Sequence, residues 1–443
     1  MSETQPKRVV IIGGGLAGLS AAYHLLESGY TITLLEAGTE FGGLAGSIRI
    51  EDQAVERFYH FICRSDDELT TLAEKLGLNQ QLNWEHTRTA FYHEGRSYPF
   101  GTPFDLLRFR PVPWLQRLRF GLHVVFSRYR SHWQNLDQVA ARPWLIRNIG
   151  AQAYQVIWHP LLKIKFGERY DKISAAWIWH RIWRVARSRR SLLEPEMFGY
   201  FEGGSETLVN RLVEVLIQGG ADLRKNCRVE KILLEEGRVK AVQVNAETIP
   251  CQAVISSAAL PVLTNLLPAQ DSDYFRKLKS IEYIGVVCLL LSLKQPFSRN
   301  FWTNTNDARI AFNGFIEQTN LNRHLQHAGL NLVYIPYYLD TKEARYRYAD
   351  EDLLAEYISA LQLINPQFDA SWIKEWFVFR DPYAQAICTT GFASLVPGIR
   401  SPIPGLYVTD STQFYPEDRT LSAAVRLGHE AAKALCQDDP CAR

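Results

Sequence analysis

The sequence lacks several features that would assign the chain to a broad class of proteins. Its seven cysteines are scattered along 443 residues without a Cys-x-x-Cys pair, which argues against a disulfide framework and against a metal site. The formal net charge at pH 7 is only +2, and this balance argues against nucleic acid as a partner. We therefore expect reduced thiols, no bound metal and a cytoplasmic location.

Long apolar runs are missing as well. The chain has no uncharged apolar stretch of the roughly 18 residues that a membrane-spanning helix needs. Residues 1–8 are polar and lead directly into a predicted strand, so we expect no secretory signal. Any membrane contact would then be made from the surface of the protein.

Residues 9–47 carry the most informative pattern. An apolar strand leads into Gly-Gly-Gly-Leu-Ala-Gly at residues 13–18, and a helix and a second strand follow. In a dinucleotide-binding turn, Gly13 would allow the tight turn, Gly15 would let the backbone approach a pyrophosphate, and Gly18 would let the helix pack closely on the sheet. The pattern predicts a dinucleotide site.

The start of this helix and the end of the second strand refine that prediction. The helix N-terminus presents unpaired N–H groups and a positive dipole end to phosphates. Glu36 ends the second strand, 18 residues after Gly18, where its carboxylate can accept hydrogen bonds from ribose hydroxyls and would repel a 2′-phosphate. FAD or NAD is therefore favoured over NADP.

The rest of the chain alternates between two kinds of sequence. Since single hydrophobic cores stop growing at about 250–300 residues, a chain of 443 residues is expected to form two domains. Residues 1–88, 196–258 and 395–443 have α/β patterns and would form one domain. Residues 89–195 and 259–394, which are rich in aromatic side chains, would form the other.

Four motifs together resemble one protein family. They are the turn at residues 13–18, the doublet Gly42-Gly43, the Gly203-Gly204 unit with a β-meander after it, and the C-terminal residues 404–432. These motifs resemble the FAD-dependent amine oxidase superfamily, which includes protoporphyrinogen oxidases and phytoene desaturase-like enzymes and shares its fold with UDP-galactopyranose mutases. The resemblance implies an α/β fold, with a discontinuous Rossmann-like FAD-binding domain and an inserted α+β substrate domain.

The resemblance also implies which residues would hold FAD. The first α/β unit would contact the pyrophosphate, ribose and ribitol, a later strand would meet adenine, and the C-terminal segment would hold the ribitol or pyrophosphate and the flavin ring. These residues are Gly13, Gly15, Leu16, Ala17, Gly18, Glu36, Ala37, Gly42, Gly43, Leu44 and Ser47, then Val229, and finally Asp410, Ser422 and Ala423. The last two would present N–H groups to the pyrimidine ring, where a helix N-terminus stabilises the negative charge of reduced flavin.

Two positions depart from the pattern of the family. An arginine commonly follows the glycine doublet, but this chain has Leu44, so that phosphate contact must come from elsewhere or be absent. Thr409 precedes Asp410 where glycine is usual. In addition, no second Gly-x-Gly-x-x-Gly follows a strand, so we expect no nicotinamide module, and oxygen, a quinone or another acceptor would take the electrons.

Four residues are candidates for the active site. Tyr59 and His60 follow the glycine doublet where relatives pass close to the flavin, and Arg380 and Tyr383 follow a predicted aromatic strand at residues 372–379. A structural histidine is the alternative for His60, and a salt bridge at the strand end is the alternative for Arg380 and Tyr383. Because the flavin does the hard step, an apolar and water-poor pocket matters more than a nucleophile.

Two segments combine arginines with aromatic residues. One is residues 104–130, and the other is a predicted helix at residues 177–190. Such charge usually marks a solvated basic face. The interleaved aromatic rings favour two alternatives, which are peripheral membrane contact and binding of a phosphate-bearing substrate.

These patterns together predict an FAD-dependent oxidoreductase of the oxidase or desaturase type, acting on a hydrophobic or lipid-linked substrate. A non-redox flavoenzyme resembling UDP-galactopyranose mutase, acting on a nucleotide sugar, is one alternative. A flavin-binding subunit without catalysis is another. An apolar pocket would favour desaturation, paired arginines beside the flavin would favour the mutase, and a filled pocket would favour the subunit.

Overall fold

The computed structural model describes residues 7–189, 194, 196–268 and 272–439. The helices of these ranges are α1 (Leu16–Glu27), α2 (Asp67–Lys75), α3 (Pro103–Arg108), α4 (Trp114–Tyr129), α5 (Gln134–Asp137), α6 (Ala141–Ile149), α7 (Ala151–Ala153), α8 (His159–Phe166), α9 (Ala175–Ser188), α10 (Ser205–Gln218), α11 (Leu260–Leu266), α12 (Asp273–Ser280), α13 (Arg323–His327), α14 (Asp350–Ile364) and α15 (Leu421–Asp438). The strands are β1 (Arg8–Ile12), β2 (Thr31–Leu35), β3 (Ser47–Ile50), β4 (Gln53–Glu56), β5 (Leu82–His86), β6 (Thr89–His93), β7 (Arg96–Pro99), β8 (Met197–Phe201), β9 (Asp222–Arg224), β10 (Val229–Glu235), β11 (Arg238–Val244), β12 (Glu247–Pro250), β13 (Ala253–Ser256), β14 (Tyr283–Leu293), β15 (Trp302–Asn306), β16 (Gly314–Glu317), β17 (Leu332–Leu339), β18 (Ile373–Ala386) and β19 (Leu406–Val408).

Five parallel strands form the first sheet, in the order β19-β13-β1-β2-β9. Val10 in β1 lies opposite Val254 on one side and Thr33 on the other. Residues 9–12 are all buried, as expected for a central parallel strand with helices on both faces of the sheet. Strands from three separate parts of the chain therefore meet in one sheet, and the predicted α/β class is confirmed.

The strands between β9 and β13 do not join this sheet. β10, β11 and β12 form their own antiparallel sheet, in which Val229 lies opposite Val244. This is the β-meander that the sequence predicts after residues 203–204. β9 and β13 themselves bring the chain back to the first sheet.

A seven-stranded sheet has the order β18-β14-β17-β16-β15-β6-β7. Its long strand β14 is antiparallel to both neighbours, whereas β15 and β6 are parallel. Side chains of β14 alternate between two apolar clusters: Cys288 packs on one face of the sheet, and Leu289 packs on the other face against α14. Both faces of this sheet are therefore covered.

Helix α9 is not the solvated basic helix that its charge suggests. It is buried around most of its circumference, with Trp177 2% exposed and Arg184 9% exposed. The Arg184 guanidinium donates to the Asp66 carboxylate at 2.8 Å, and this pairing allows the charge to be buried. The last residue of the predicted helix, Arg190, lies outside the described residues.

Strand β18 runs further than the sequence predicts. The predicted strand ends at Phe379, but β18 continues to Ala386 beside β14. Its register shifts where Asp381 pairs with Val286 and Gln385 pairs with Ile284. Pro382 falls within that bulge, where its missing N–H breaks no ladder bond.

Candidate active site

The glycine-rich turn is held against the end of β1. Gly13 has a φ of +100°, a conformation that favours glycine, and its N–H donates to the Leu35 carbonyl at 2.9 Å. A Cβ atom on Gly18 would lie 2.0 Å from the Gly13 carbonyl oxygen. Helix α1 therefore packs directly on the turn, and no side chain fits at position 18.

Open space lies in front of Gly15. A Cβ atom placed there would have Gly43 Cα, at 3.9 Å, as its only neighbour within 4 Å among the described residues. The Gly42 N–H donates to the Gly14 carbonyl at 2.8 Å, so the two glycine segments lie side by side. Helix α1 begins at Leu16 and Ala17 without a side-chain cap, which leaves N–H groups of its first turn available to an anion.

The Glu36 carboxylate closes this turn from the end of β2. It accepts hydrogen bonds from the N–H groups of Gly14 at 2.7 Å and Gly38 at 2.6 Å. Ala37 follows it on the exposed surface. The carboxylate is therefore fixed at the end of the strand where the sequence predicts a ribose contact.

Two polar groups beside the glycine doublet have no hydrogen-bond partner among the described residues. The Ser47 hydroxyl and the Arg57 Nε are both enclosed and form no hydrogen bond. The Arg57 Nη2 donates to the Gly43 carbonyl at 2.7 Å. A Cβ atom on Gly46 would lie 2.4 Å from the same guanidinium, so glycine at position 46 makes room for the arginine.

The sequence analysis assigned no role to Arg57, although a signal for it exists. β3 and β4 form a hairpin in which Ser47 lies opposite Glu56. The next pair is then Gly46 and Arg57, and the Arg57 N–H donates to the Gly46 carbonyl at 3.0 Å. A hairpin prediction would therefore have placed an arginine beside Leu44, the position at which the family pattern has an arginine and this chain does not.

The start of α15 corrects one expectation. The Ala423 N–H donates to the Thr420 side chain at 2.9 Å, so this N–H is occupied by an N-cap. The Ser422 hydroxyl accepts from the Leu69 N–H at 3.3 Å. Of the two N–H groups predicted to face a ring, only that of Ser422 stays open to such a role.

Asp410 lies buried where β19 ends. Its carboxylate accepts hydrogen bonds from the Tyr283 hydroxyl at 2.8 Å and the N–H groups of Thr412 at 2.8 Å and Leu260 at 3.3 Å. Burial raises the pKa of Asp410, and these hydrogen bonds oppose the rise. The carboxylate thus joins three parts of the chain, while Val229 lies buried in the separate β-meander.

His60 has the surroundings of a structural histidine. Its Nδ1 lies 3.6 Å from the buried Glu56 carboxylate, which also accepts from the Ser205 N–H at 2.8 Å. Burial alone would raise the pKa of Glu56, but His60 and Ser205 hold it below its usual value. The Gln318 amide donates to the His60 carbonyl at 2.9 Å.

Tyr59 belongs to an aromatic face of the seven-stranded sheet. Its ring lies edge-on to Trp302, with centroids 5.3 Å apart, and burial raises the pKa of its phenol well above the usual value. We define the aromatic face as the half-buried rings that pack on the Cys288 side of the sheet, namely Phe58, Tyr59, Phe61, Trp302, Tyr338, Phe377 and Phe379. This face lies next to the segment that follows the glycine doublet.

Arg380 and Tyr383 differ in their surroundings. The Arg380 guanidinium is fully occupied, because it donates to the Asp350 carboxylate at 2.7 Å and to the carbonyls of Tyr346 and Tyr348. These contacts favour the structural salt bridge over a pocket role. The Tyr383 ring lies edge-on to Tyr283 at 5.7 Å and is therefore close to the Asp410 site.

A group of buried charges was missed by the sequence analysis. Lys165 on α8, Arg181 on α9 and Arg419 before α15 interact with the Asp418 carboxylate. Burial lowers the pKa of Lys165 to about 7, and Asp418 opposes the shift. Burial would raise the pKa of Asp418, but the three cations hold it well below its usual value. We call these four residues the buried charge cluster.

The sequence was compared with known protein families. The profile described as flavin containing amine oxidoreductase matches residues 16–436, which is nearly the whole chain. The chain belongs to this family. It is therefore a flavin-dependent oxidoreductase by family, and the resemblance inferred from the sequence motifs is confirmed.

Individual relatives are distant. The chain is 22% identical over 471 residues to a 15-cis-phytoene desaturase of Solanum lycopersicum, covering 98% of this chain and 78% of the relative. A protein from Exiguobacterium sp. 255-15 that is provisionally named a protoporphyrinogen oxidase has a crystal structure that matches with a TM-score of 0.77 at 19% identity, covering 99% of this chain and 100% of the other. Reduced UDP-galactopyranose mutase matches with a TM-score of 0.76 at 16% identity, covering 98% and 97%. These structures share the fold.

The residues of the glycine-rich region fit a flavin dinucleotide. The space in front of Gly15 would be closed by a side chain, and the first turn of α1 has no capping side chain. The unpartnered Ser47 hydroxyl and Arg57 Nε border the same region. Donors that lack a partner inside a protein indicate a missing acceptor, and the phosphates and ribitol of a flavin dinucleotide supply acceptors.

A large apolar surface lies on α3 and α4. We define the outer face as the exposed apolar residues of these helices, namely Phe104, Leu107, Trp114, Leu115, Leu118, Leu122, Phe126 and Tyr129. Trp114 is 68% exposed and Phe126 is 71% exposed, and contiguous exposed apolar surface of this kind marks an interaction site. In the part of the chain that the structure describes, no helix is long and apolar enough to cross a membrane.

Proposed function

We propose that the protein is an FAD-dependent oxidoreductase of the oxidase or desaturase type that acts on a hydrophobic or lipid-linked substrate. The aromatic face carries this proposal. Its half-buried rings lie beside the segment that follows Gly42-Gly43, and an aromatic surface binds an apolar chain and excludes water from it. The phytoene desaturases among the relatives support the same substrate class.

FAD would be held by residues from three parts of the chain. Gly15 leaves room for the pyrophosphate, and Gly13 and Gly18 shape the turn that would face it. Glu36 would accept from the adenosine ribose, and Asp410 would position the ribitol side. The further residues proposed to contact FAD are Leu16, Ala17, Ala37, Gly42, Gly43, Leu44, Ser47, Val229 and Ser422. The bound flavin supplies the removal of hydride from the substrate and the passage of electrons to oxygen, a quinone or another acceptor.

Arg57 would make the phosphate contact that Leu44 cannot make. Its Nε is unpartnered, and its Nη2 holds the Gly43 carbonyl at 2.7 Å. A guanidinium at this position can donate to a phosphate oxygen while it keeps the loop in place. We further propose that residues 1–88, 196–258 and 395–443 form the FAD domain and that residues 89–195 and 259–394 form the substrate domain.

The outer face would lie on a membrane surface. Its apolar side chains suit the acyl boundary of a bilayer, and the exposed Arg108 and Arg110 beside it suit anionic headgroups. Arg117 and Arg119 would contribute less, because both bond to backbone carbonyls, for example Arg117 to the Leu107 carbonyl at 2.6 Å.

Co-sedimentation with anionic liposomes tests this membrane contact. The wild type should sediment with the vesicles in a salt-sensitive manner, and a Trp114→Ala, Phe126→Ala double variant should sediment less. Ile217 is 58% exposed on α10, away from the outer face, so Ile217→Ala is a matched control. Equal partitioning of the double variant and the wild type would contradict the membrane contact.

A second candidate function is supported by the buried charge cluster. Arg181 and Arg419 are paired arginines inside the protein, and such a pair can bind a diphosphate. A non-redox flavoenzyme resembling UDP-galactopyranose mutase would use them for a nucleotide sugar. A flavin-binding subunit without catalysis has no observation in its favour among the described residues.

Anaerobic spectroscopy separates the two candidates. An oxidase or desaturase should lose its oxidised flavin band when a polyisoprenoid substrate is added without air, and NADH or NADPH alone should act only slowly. A mutase should keep the band with its substrate, and should turn over a nucleotide sugar only after external reduction of the flavin. Rapid stoichiometric reduction by a nicotinamide would contradict the expectation that the chain has one nucleotide-binding fold and no nicotinamide module.

A further inference from the structure

The buried charge cluster contains more positive than negative charge. Arg181 is paired with Asp418 through a hydrogen bond of its Nη1. Lys165 and Arg419 interact with the same carboxylate. Arg419 also faces Asp381, but Arg57 faces that carboxylate too, so the excess of positive charge is not removed.

Lys165 is half-buried and has no acidic partner of its own among the described residues. Its ammonium lies 4.4 Å from the ring centroid of Tyr338 and 5.0 Å from that of Trp177. Within the described ranges, no hydrogen bond or ion pair reaches this ammonium. Cation–π contacts contribute about 0.5–2 kcal/mol, whereas a hydrogen bond to a charged group contributes about 1.5–3 kcal/mol. The half-buried ammonium can therefore gain further stabilisation from an anion.

Arg419 presents a second free donor to the same space. Its Nη2 donates to the Tyr338 hydroxyl at 2.9 Å, and its Cζ lies 5.5 Å from the centroid of that ring. Its Nε is enclosed and forms no hydrogen bond. One tyrosine ring therefore separates two cations, and each of them has unused hydrogen-bonding capacity.

We propose that Lys165, Arg181 and Arg419 bind an anionic group, a carboxylate or a phosphate, at one end of the hydrophobic substrate. Tyr338 belongs to both the aromatic face and the surroundings of Lys165, so an apolar chain on that face would bring its end group to the cations. The inference rests on the proposed function, because it describes one end of the same substrate.

The positions of Lys165 and Arg181 favour the substrate over the cofactor, whereas Arg419 lies in the segment 395–443 that is proposed to hold FAD. Lys165 on α8 and Arg181 on α9 belong to the segment 89–195, whereas the residues proposed to hold FAD come from other segments. Arg181 lies 5.0 Å from the ring centroid of Trp177, the same ring that Lys165 faces. Both cations are thus built into the aromatic surroundings proposed for the substrate.

Binding of three probes with one alkyl chain tests the inference. The flavin-loaded protein is titrated with octanoate, octyl phosphate and 1-octanol by calorimetry. At least one of the anionic probes should bind about tenfold or more tightly than the alcohol. Lys165→Met and Arg181→Met should each remove most of this preference without changing the affinity for the alcohol, whereas Lys165→Arg should keep it.

Arg187→Met is the matched control, since Arg187 is exposed on the same helix as Arg181 and lies over the Trp183 ring at 4.8 Å. Equal affinity of the wild type for anions and alcohol would overturn the inference. Anion binding that persists in both methionine variants would also overturn it. The same holds if inorganic phosphate binds as tightly as octyl phosphate. Anion preference in a protein whose flavin no substrate reduces would contradict the proposed function alone.

A role toward the reduced flavin gives a different result. If the cations served only to stabilise the negative charge of the reduced ring, the methionine variants would lower the flavin potential and leave probe binding unchanged. Circular dichroism and the retained flavin absorbance establish that each variant is folded before it is titrated. A lowered reduction potential of the flavin together with an unchanged preference for anions would overturn the inference.

Discussion

Replacement of Arg57 by leucine is expected to weaken FAD binding while leaving the fold intact. The Arg57 side chain is half-buried beside the glycine doublet and has no ion pair among the described residues. A hydrogen bond to a charged group contributes about 1.5–3 kcal/mol. Loss of one phosphate contact should therefore raise the Kd for FAD by roughly 10- to 150-fold.

The effect can be assigned to the phosphate with two further variants. Arg57→Lys keeps the charge and should recover part of the affinity. Leu44→Arg restores the arginine that usually follows the glycine doublet, so the double variant with Arg57→Leu should bind FAD more tightly than Arg57→Leu alone. Arg49→Leu is the control, since Arg49 is exposed on the neighbouring strand β3 and pairs with Glu206.

The assay is reconstitution of the flavin-free protein, followed by quenching of FAD fluorescence, with ADP and adenosine as competitors. Arg57→Leu should weaken competition by ADP and leave competition by adenosine unchanged, because only ADP carries a pyrophosphate. Affinity for FAD should also become less sensitive to salt. Equal weakening of ADP and adenosine would refute the phosphate contact and would indicate that Arg57 acts by holding the Gly43 carbonyl.

Other predictions concern the glycines, a buried acid and the cofactor. Gly18→Ala should lower the free energy of unfolding by about 3 kcal/mol in chemical denaturation, because its Cβ would lie 2.0 Å from the Gly13 carbonyl oxygen. Gly15→Ala should leave the free energy of unfolding unchanged and weaken FAD binding. An equal free energy of unfolding for the two variants would contradict these roles. Burial raises the pKa of Glu317 from 4.5 to about 7 against hydrogen bonds from Ser298, so folding takes up a proton and stability falls as pH rises through this window. Glu317→Gln should then raise the melting temperature at pH 8 but not at pH 4, and an equal shift at both would contradict the assignment. Heat denaturation should release free FAD into the filtrate, and flavin that stays attached to the unfolded chain would contradict non-covalent binding.

The first sheet could be predicted from the sequence because its signals are local. The strand at β1, the turn after it and the helix α1 follow one another within 20 residues, and each has its own periodicity or glycine signature. The seven-stranded sheet gave a weaker signal. β15 reads Trp-Thr-Asn-Thr-Asn, a polar run that becomes a strand through its pairing with the nearby β16 and with β6, which lies far away in sequence.

The charge pattern of α9 was also a poor guide to its surroundings, because the partners of its arginines lie far away in sequence. The arginines of α9 are of a kind that usually faces solvent, yet Arg184 pairs with Asp66, 118 residues away, and Arg181 pairs with Asp418, 237 residues away. A carboxylate at such a distance along the chain leaves no trace in the local pattern. The outer face differs from α9, because its apolar residues have no partner within the described chain to cover them.

The candidate site could also be predicted only where its signals are local in sequence. Residues on the glycine-rich turn could be named because their backbone geometry requires glycine, whereas Arg57 was missed because its position depends on the β3–β4 hairpin. Lys165 was missed because a lysine at the end of a short helix usually points to water. The packing of α8 places its ammonium over the rings of Trp177 and Tyr338 instead.

Lys165 is half-buried, and a lysine whose pKa is lowered by burial lowers the stability of the protein that contains it. Because its pKa falls from 10.5 to about 7, the folded protein releases a proton that the unfolded chain keeps, and stability is lost as pH decreases from 10.5 toward 7. A methionine of similar length would avoid that loss. Departures of this kind from a stable core concentrate at functional sites.

Helix α9, which carries Arg181 of the same cluster, packs against α4. The Trp179 Nε1 donates a hydrogen bond to the Ser127 carbonyl at 3.1 Å, and α4 bears the outer face. A single helix therefore connects the apolar surface of the protein to its buried cations, as binding of an amphiphilic substrate at a membrane would require.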